Sequence, residues 1–266
     1  MKKNKLFRLL LMVYGCVLSA QGADNALHGY YGADNDKTLY SSFSFSFDGN
    51  GKVLIADMDY GDFFTRNDSL IIYPDKSIFI FKIKKDKLIG ISNWVEKGVW
   101  SPRKDSTSIN NRLNPIDAKK KAELLAEYYD KTKKSSKSGL DFDALVSGKT
   151  NEINEKLCQK GLAKACMNLF GLKMMEYTPD LLSDPGKIPS KKLKAHPELI
   201  LLSERIIELG EPEGYTVLGS YYYVLGLKEK AFKTWDEGEK KGSLKSARTK
   251  AMVEIQEELN QEDQKK

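Results

Sequence analysis

The chain has 266 residues, of which 41% are hydrophobic and 30% are charged, and its formal net charge is +6. This composition is sufficient to bury a core, and the length allows two domains. Without Lys2, Lys3, Lys5 and Arg8 at the start of the chain, the net charge falls to +2. Nucleic-acid-binding domains usually carry a clustered basic face, so the charge argues against a nucleic-acid partner.

Residues 1–22 have the three-part order of a secretory signal peptide: a basic start, an apolar run and a small-residue end. The apolar run has about half of the roughly 20 residues needed to cross a bilayer. Cleavage after Gly22, with Ala20 two positions earlier, predicts a free protein that is periplasmic or secreted. The alternative is cleavage before Cys16, which would leave a lipid anchor in the envelope and the only expected membrane contact. We favour the free form, because Tyr14 is too bulky for a lipobox.

Residues 23–101 are predicted to form a β domain. In residues 43–47 phenylalanine alternates with serine, and the Asp-Gly-Asn-Gly sequence at 48–51 is typical of a hairpin turn. Further strands are predicted at residues 52–58, 69–73, 77–84 and 88–94. Hairpin-linked strands at this spacing favour an antiparallel meander that curls into a small barrel or sandwich.

Gly29-Tyr30-Tyr31 and Leu88-Ile89-Gly90 give this segment a resemblance to lipocalin-like modules of exported bacterial proteins. Such a module would enclose either its own side chains or a small apolar ligand. Small barrels are mostly filled by their own side chains, so we expect the large aromatic residues to form the core. These residues are Phe79, Phe81, Trp94 and Trp100.

Residues 102–114 are polar and are predicted to be a linker. Residues 115–266 are predicted to be helical, beginning with Asn114 as cap and Pro115 in the first turn. Apolar residues then follow at helical spacing, namely Ala118, Ala122, Leu125 and Tyr129. The prolines within residues 178–197 exclude one continuous helix there. The sequence therefore predicts an α+β multidomain protein.

Three segments of the helical part align on a glycine, at Gly161, Gly210 and Gly242. Each glycine is followed four positions later by a small residue: Ala165, Gly214 and Ser246. A fixed period of this kind indicates stacked helix pairs.

The segment 211–242 resembles one unit of the Sel-one-like repeat, a relative of the tetratricopeptide repeat. The residues that carry the resemblance are Leu218-Gly219, Tyr222, Gly226, Ala231, Trp235, Gly238 and Gly242. The resemblance extends over about residues 150–261, although the third unit has Lys250-Ala251 in place of the Leu-Gly pair. It implies an α/α solenoid in which the first helix of each pair lines a concave surface that binds a protein partner. The candidate partner-binding residues on that helix are Asn168, Lys173, Tyr215 and Tyr222.

Cys158 and Cys166 lie eight residues apart on either side of Gly161. The chain here resembles the cysteine-rich branch of the same family, and the resemblance implies a disulfide between neighbouring helices. An oxidising compartment favours that bridge over two buried thiols. Zinc is a poor alternative, because two sulfur ligands need further ligands and the chain has only two histidines.

Motifs for a phosphate-binding loop, a nucleophile elbow or a zinc protease do not occur in the sequence, and we predict neither a cofactor nor a catalytic activity. Asp57, Asp59 and Asp62 supply oxygen ligands suited to calcium, but their spacing does not match a calcium loop, and we expect a solvated strand edge.

The resemblance also implies a class of function. Exported proteins with Sel-one-like repeats include scaffolds of envelope complexes, and some are similar to immunity proteins that neutralise antibacterial effectors such as phospholipases. We therefore expect an exported protein–protein interaction module, with an immunity protein as the favoured interpretation. The alternatives are an envelope scaffold and a carrier that holds a small apolar ligand in the β domain.

Overall fold

The computed structural model describes residues 27–34, 43–74, 77–104, 118–132, 149–178 and 193–263. It contains an antiparallel β-barrel followed by helices, which confirms the α+β arrangement. The predicted signal peptide at 1–22, Cys16 and most of the predicted linker at 102–114 lie outside the described residues.

The barrel is closed by eight strands in sequence order. They are β1 His28–Ala33, β2 Phe45–Asp48, β3 Lys52–Ile55, β4 Asp59–Arg66, β5 Ser69–Tyr73, β6 Phe79–Lys84, β7 Lys87–Gly90 and β8 Val99–Arg103. Each strand pairs antiparallel with the next, and β1 pairs with β8. Closure leaves no strand of this sheet with an unpaired edge.

The predicted turn at residues 48–51 joins β2 to β3. Gly49 and Gly51 have φ angles of 76° and 89°, which other residues rarely adopt. The Asp48 carboxylate accepts hydrogen bonds from the backbone N–H groups of Asn50 and Lys52, at 2.7 and 2.8 Å. The local sequence therefore sets the register of this hairpin.

The strands differ from the prediction in several places: the predicted strand at 52–58 ends at Ile55, and β1, β4 and β8 were not among the predicted strands. Strand β8 continues two residues past the predicted domain end at 101, because Pro102 and Arg103 pair with Tyr31 and Tyr30 of β1. The predicted strand at 88–94 stops at Gly90, where the chain turns back so closely that an added Cβ would lie 1.7 Å from the Val95 carbonyl oxygen.

Aromatic side chains fill the interior of the barrel. The Phe45 ring centroid lies 5.4 Å from that of Phe81 and 5.6 Å from that of Trp100. Phe79 is also buried in this core, whereas Trp94 follows the turn after β7 and is 45% exposed. Of the four aromatic residues expected in the core, three are there, and the early end of β7 places Trp94 outside it.

The described helices are α1 Ala118–Thr132, α2 Lys149–Gln159, α3 Ala163–Tyr177, α4 Pro197–Glu208, α5 Glu213–Val224, α6 Lys228–Lys240 and α7 Leu244–Asp263. Each helix contacts the next one in the chain, and α5 also contacts α7. None of these helices is both long enough and apolar enough to cross a membrane.

Four helix turns share one backbone conformation. The turns contain Gly161, Gly210, Gly226 and Gly242, all with positive φ between 75° and 100°. In each turn the N–H after the glycine donates to the carbonyl five residues earlier, at 2.8–3.2 Å. This is the Schellman ending of a helix, which favours glycine because other residues are strained there.

Glycines inside the helices allow close helix contacts. A Cβ added at Gly219 on α5 would lie 2.5 Å from the Trp235 ring of α6, and one at Gly238 would lie 2.3 Å from the Ser246 hydroxyl of α7. The Trp235 indole N–H also donates to the Thr216 carbonyl at 3.2 Å. The indole ring is therefore fixed against α5 at a site where only glycine fits.

We expect Gly219→Ala to lower the free energy of unfolding by about 1–3 kcal/mol through overpacking against Trp235. Gly171→Ala on α3 is the matched control, because an added Cβ there meets nothing within 4 Å. Alanine has the higher helix propensity, so the control should gain up to about 1 kcal/mol. Urea unfolding of the two variants and the wild-type protein measures both effects, and equal stability of the two variants would contradict the assigned packing.

Cys158 at the end of α2 and Cys166 in α3 form a disulfide, as expected. Both residues are buried, and the bond ties the two helices together across the Gly161 turn. Disulfides are typical of oxidising compartments outside the cytoplasm.

Replacing both cysteines by alanine should lower the free energy of unfolding by about 2–3 kcal/mol, since the unfolded chain loses the constraint of a short closed loop. Wild-type protein unfolded with a reductant should lose a similar amount. Denaturation curves that coincide with and without the bridge would show that the bond does not contribute to stability.

Candidate interaction surface

The barrel packs on the helices through the outer faces of β4 and β5. Alternate residues of these strands point outward, and Phe64, Ile71 and Tyr73 belong to the same core as residues of α1, α2, α3 and α4. The Tyr73 ring centroid is 5.6 Å from that of Tyr128 on α1. The inward residues of the same strands belong to the barrel core, so both faces of β5 are buried.

A buried cluster of four charged side chains crosses this junction. Lys52 Nζ on β3 lies 2.9 Å from a carboxylate oxygen of Asp62 on β4 and 2.5 Å from one of Glu211 in the α4–α5 turn. Lys121 on α1 contacts the same two carboxylates, at 2.7 and 3.4 Å. The four side chains are only 8–21% exposed. Two cations and two anions therefore balance each other, which offsets the cost of burying them.

The cluster keeps Lys52 and Asp62 ionised. Burial by itself lowers the pKa of Lys52, but the carboxylates of Asp62 and Glu211 raise it by more. Burial raises the pKa of Asp62, and the ammonium groups of Lys121 and Lys52 reverse that effect, so that it ends well below its ordinary value. The stability that Asp62 contributes is therefore fully present above the ordinary pKa of a carboxyl group. It is lost as the pH falls from that value through the lowered pKa of Asp62 in the folded protein.

We expect Lys52→Met to lower the free energy of unfolding by about 3–5 kcal/mol, because it leaves the two buried carboxylates of Asp62 and Glu211 with Lys121 as their one shared counter-charge. The double variant Lys52→Met/Asp62→Leu leaves Lys121 paired with Glu211 and should recover most of that loss. Urea unfolding at neutral pH compares the three proteins. A decrease of less than about 1 kcal/mol in the unfolding free energy of Lys52→Met would show that the cluster contributes no more than an exposed ion pair does.

Beside this cluster, a small cavity of about 40 Å³ separates the barrel from the helices. It is lined by Tyr60 of β4 and by Lys164, Asn168, Glu213 and Lys245 near the N-terminal ends of α3, α5 and α7. These helices are the first members of the predicted helix pairs. The barrel therefore covers part of the concave helix surface that was predicted to bind a partner.

Two predicted partner-binding residues lie on α3 and contact other parts of the chain. The Asn168 side-chain amide donates to the Tyr128 hydroxyl of α1 at 2.8 Å. The Lys173 ammonium lies 3.0 Å from the Glu198 carboxylate of α4. Asn168 thus belongs to the barrel junction, whereas Lys173 joins α3 to α4.

The other two predicted residues lie on α5. Tyr215 is half-buried, and its Cβ is 2.8 Å from the position of a Cβ added at Gly238. Tyr222 is only 5% exposed and packs between α5 and α6, with the Lys230 ammonium 4.0 Å from its ring centroid. Tyr222 is therefore a core residue of this helix pair.

The middle and C-terminal part of α7, from Met252 to Leu259, carries an open apolar face that was not predicted from the sequence. Met252, Ile255 and Leu259 are 65%, 58% and 52% exposed. Their spacing of three and four residues places them on one side of a helix. Val253 and Glu257 lie on the opposite side, where Val253 packs against the α5–α6 core and Glu257 accepts a hydrogen bond from the Tyr223 hydroxyl at 2.9 Å.

An exposed carboxylate lies beside this apolar face. Glu258 is exposed three positions after Ile255, and Glu254 is exposed one turn before Glu258, farther round the helix. In the sequence, residues 254–266 include five acidic residues and two lysines, Lys265 and Lys266. Glu257 is neutralised by Lys228, whose ammonium lies 2.6 Å away, and the hydrogen bond from that lysine helps to lower the pKa of the carboxyl group. Among the exposed side chains described at this helix end, the charged ones are therefore the carboxylates of Glu254 and Glu258.

The three aspartates weighed as calcium ligands lie in different surroundings. Asp62 is buried in the charged cluster rather than at a solvated edge, Asp59 pairs with Arg248 of α7 at 2.5 Å, and Asp57 is exposed in the turn between β3 and β4. In the described part of the chain, no three side chains of metal-binding type come together.

No protein-family model matches the chain, and neither the curated proteins nor the solved structures gave a match.

Proposed function

We propose that the protein binds another protein and that the apolar face of α7 makes the central contact. The supporting observation is the exposure of Met252, Ile255 and Leu259 side by side on a helix whose other side is packed. Single exposed apolar residues are common on protein surfaces, whereas adjacent ones with a polar surround are typical of interaction sites. Helix-in-groove recognition uses this spacing of anchor residues.

The partner is proposed to be an antibacterial effector in the periplasm, which makes the protein an immunity protein. The buried disulfide supports a compartment outside the cytoplasm, and the signal-peptide pattern of residues 1–22 supports export. An inhibitor of this kind needs an exposed binding face on a stable scaffold, and the barrel fixed on the helices provides such a scaffold. The aromatic filling of the barrel favours this function over ligand transport.

We expect the triple variant Met252→Ser/Ile255→Ser/Leu259→Ser to lose protection of cells against effectors delivered by sibling cells. Removing three exposed anchors costs binding energy at the centre of an interface and should reduce affinity by at least about 100-fold. The matched control is Leu201→Ser on α4, which removes a leucine that is 63% exposed on another helix. Competition assays with a deletion strain complemented by each variant measure protection.

Equal periplasmic levels of the two variants, and equal unfolding transitions of the two purified proteins, would show that both variants fold. Protection that survives the triple substitution would contradict the assignment of binding to α7. A deletion strain that stays fully resistant to sibling effectors would contradict the immunity function and leave the binding face to be tested by capture of the partner.

A further inference from the structure

We infer that the segment seated on α7 is a basic amphipathic helix of the partner, with lysine or arginine beside its apolar side. This inference rests on the proposed function and adds the chemistry of the partner. It follows from the shape of the exposed face and from the charges around it.

The shape favours a helix as the occupant. Met252, Ile255 and Leu259 form a straight row that extends about 10 Å along α7, at a rise of 1.5 Å per residue. Each described helix of the array packs against the next one in the chain, and α7 is the last of them. A partner helix laid along this row would continue the same side-by-side packing.

The charge favours a cationic occupant. The exposed carboxylate of Glu258 lies one turn from Ile255 on the flank of the apolar row, and Glu254 lies one turn before Glu258, so the exposed charges described on this flank are negative. The nearest basic residues toward the start of α7 are used within the chain, since Arg248 pairs with Asp59 and Lys250 pairs with Asp236. Complementary charge selects partners and increases the association rate.

The same charges argue against two other occupants. A second copy of the chain would bring an identical set of carboxylates to the interface, and like charges in contact oppose association. Anionic lipid surfaces attract basic segments, so they would repel this acidic helix end.

The test uses the full mature protein and two synthetic amphipathic peptides of about 18 residues, long enough to form five helical turns. One peptide combines leucine with lysine, and the other has glutamate in place of every lysine. We expect the lysine peptide to bind to the wild-type protein in calorimetric titrations, and the glutamate peptide to bind at least about tenfold more weakly. Added salt should weaken the lysine complex, because exposed charges are screened.

Three variants separate the contributions. The triple serine variant at 252, 255 and 259 should abolish binding of the lysine peptide. Glu254→Gln/Glu258→Gln should weaken it about tenfold, and Glu254→Lys/Glu258→Lys should reverse the preference toward the glutamate peptide. The matched control is Glu204→Gln, which neutralises an exposed carboxylate on α4 and should leave both affinities unchanged.

Equal affinity for the two peptides, or affinity that the triple serine variant retains, would overturn the inference. Dimerisation of the wild-type protein that is lost in the triple variant would identify a second copy as the occupant and overturn it as well. Effector capture that depends on the three apolar residues but not on Glu254 and Glu258 would reject the basic helix while leaving the proposed function intact. Capture that depends on none of these residues would reject both.

Discussion

The structure depends on the attachment of the barrel to the helices, and the charged cluster of Lys52, Asp62, Lys121 and Glu211 lies within that junction. Buried charges are costly unless each has partners at short range, so the four segments that supply them must meet in one arrangement. Phe64, Ile71 and Tyr73 pack against the helices next to this cluster and bury apolar surface there. The junction thus combines hydrophobic stabilisation with a charge pattern that specifies how the two parts fit together.

This junction also determines which surfaces remain open. A helical array standing alone would present the starts of α3, α5 and α7 to a partner, as the resemblance to Sel-one-like repeats implies. In this chain those helix starts face β4, and Asn168 and Glu213 line a cavity too small for anything beyond water. The far half of α7 extends its apolar side away from the packed core. The proposed binding face therefore lies at the end of the helical array rather than on the predicted concave surface, which the barrel partly covers.

Features that depend on neighbouring residues could be predicted from the sequence. The Asp-Gly-Asn-Gly turn and the helix ends at Gly210 and Gly242 depend on short-range geometry. The disulfide across Gly161 was expected from the resemblance to the cysteine-rich branch of the repeat family. The charged cluster depends on residues far apart in the chain, with 159 positions between Lys52 and Glu211. A lone lysine in a short strand gives no sign that it is buried. Strand β4 was missed for a related reason, since it buries residues on both faces and so shows no simple alternation.

The face of α7 was predictable in principle. The spacing of Met252, Ile255 and Leu259 is visible in the sequence, but only the structure shows that these side chains are exposed rather than packed. The most direct test of the proposed binding face is hydrogen exchange of the protein, measured alone and in complex with the partner protein proposed for it. We expect slower exchange in the complex over residues 252–259 of α7. Slower exchange confined to the start of α3, with α7 unchanged, would contradict it.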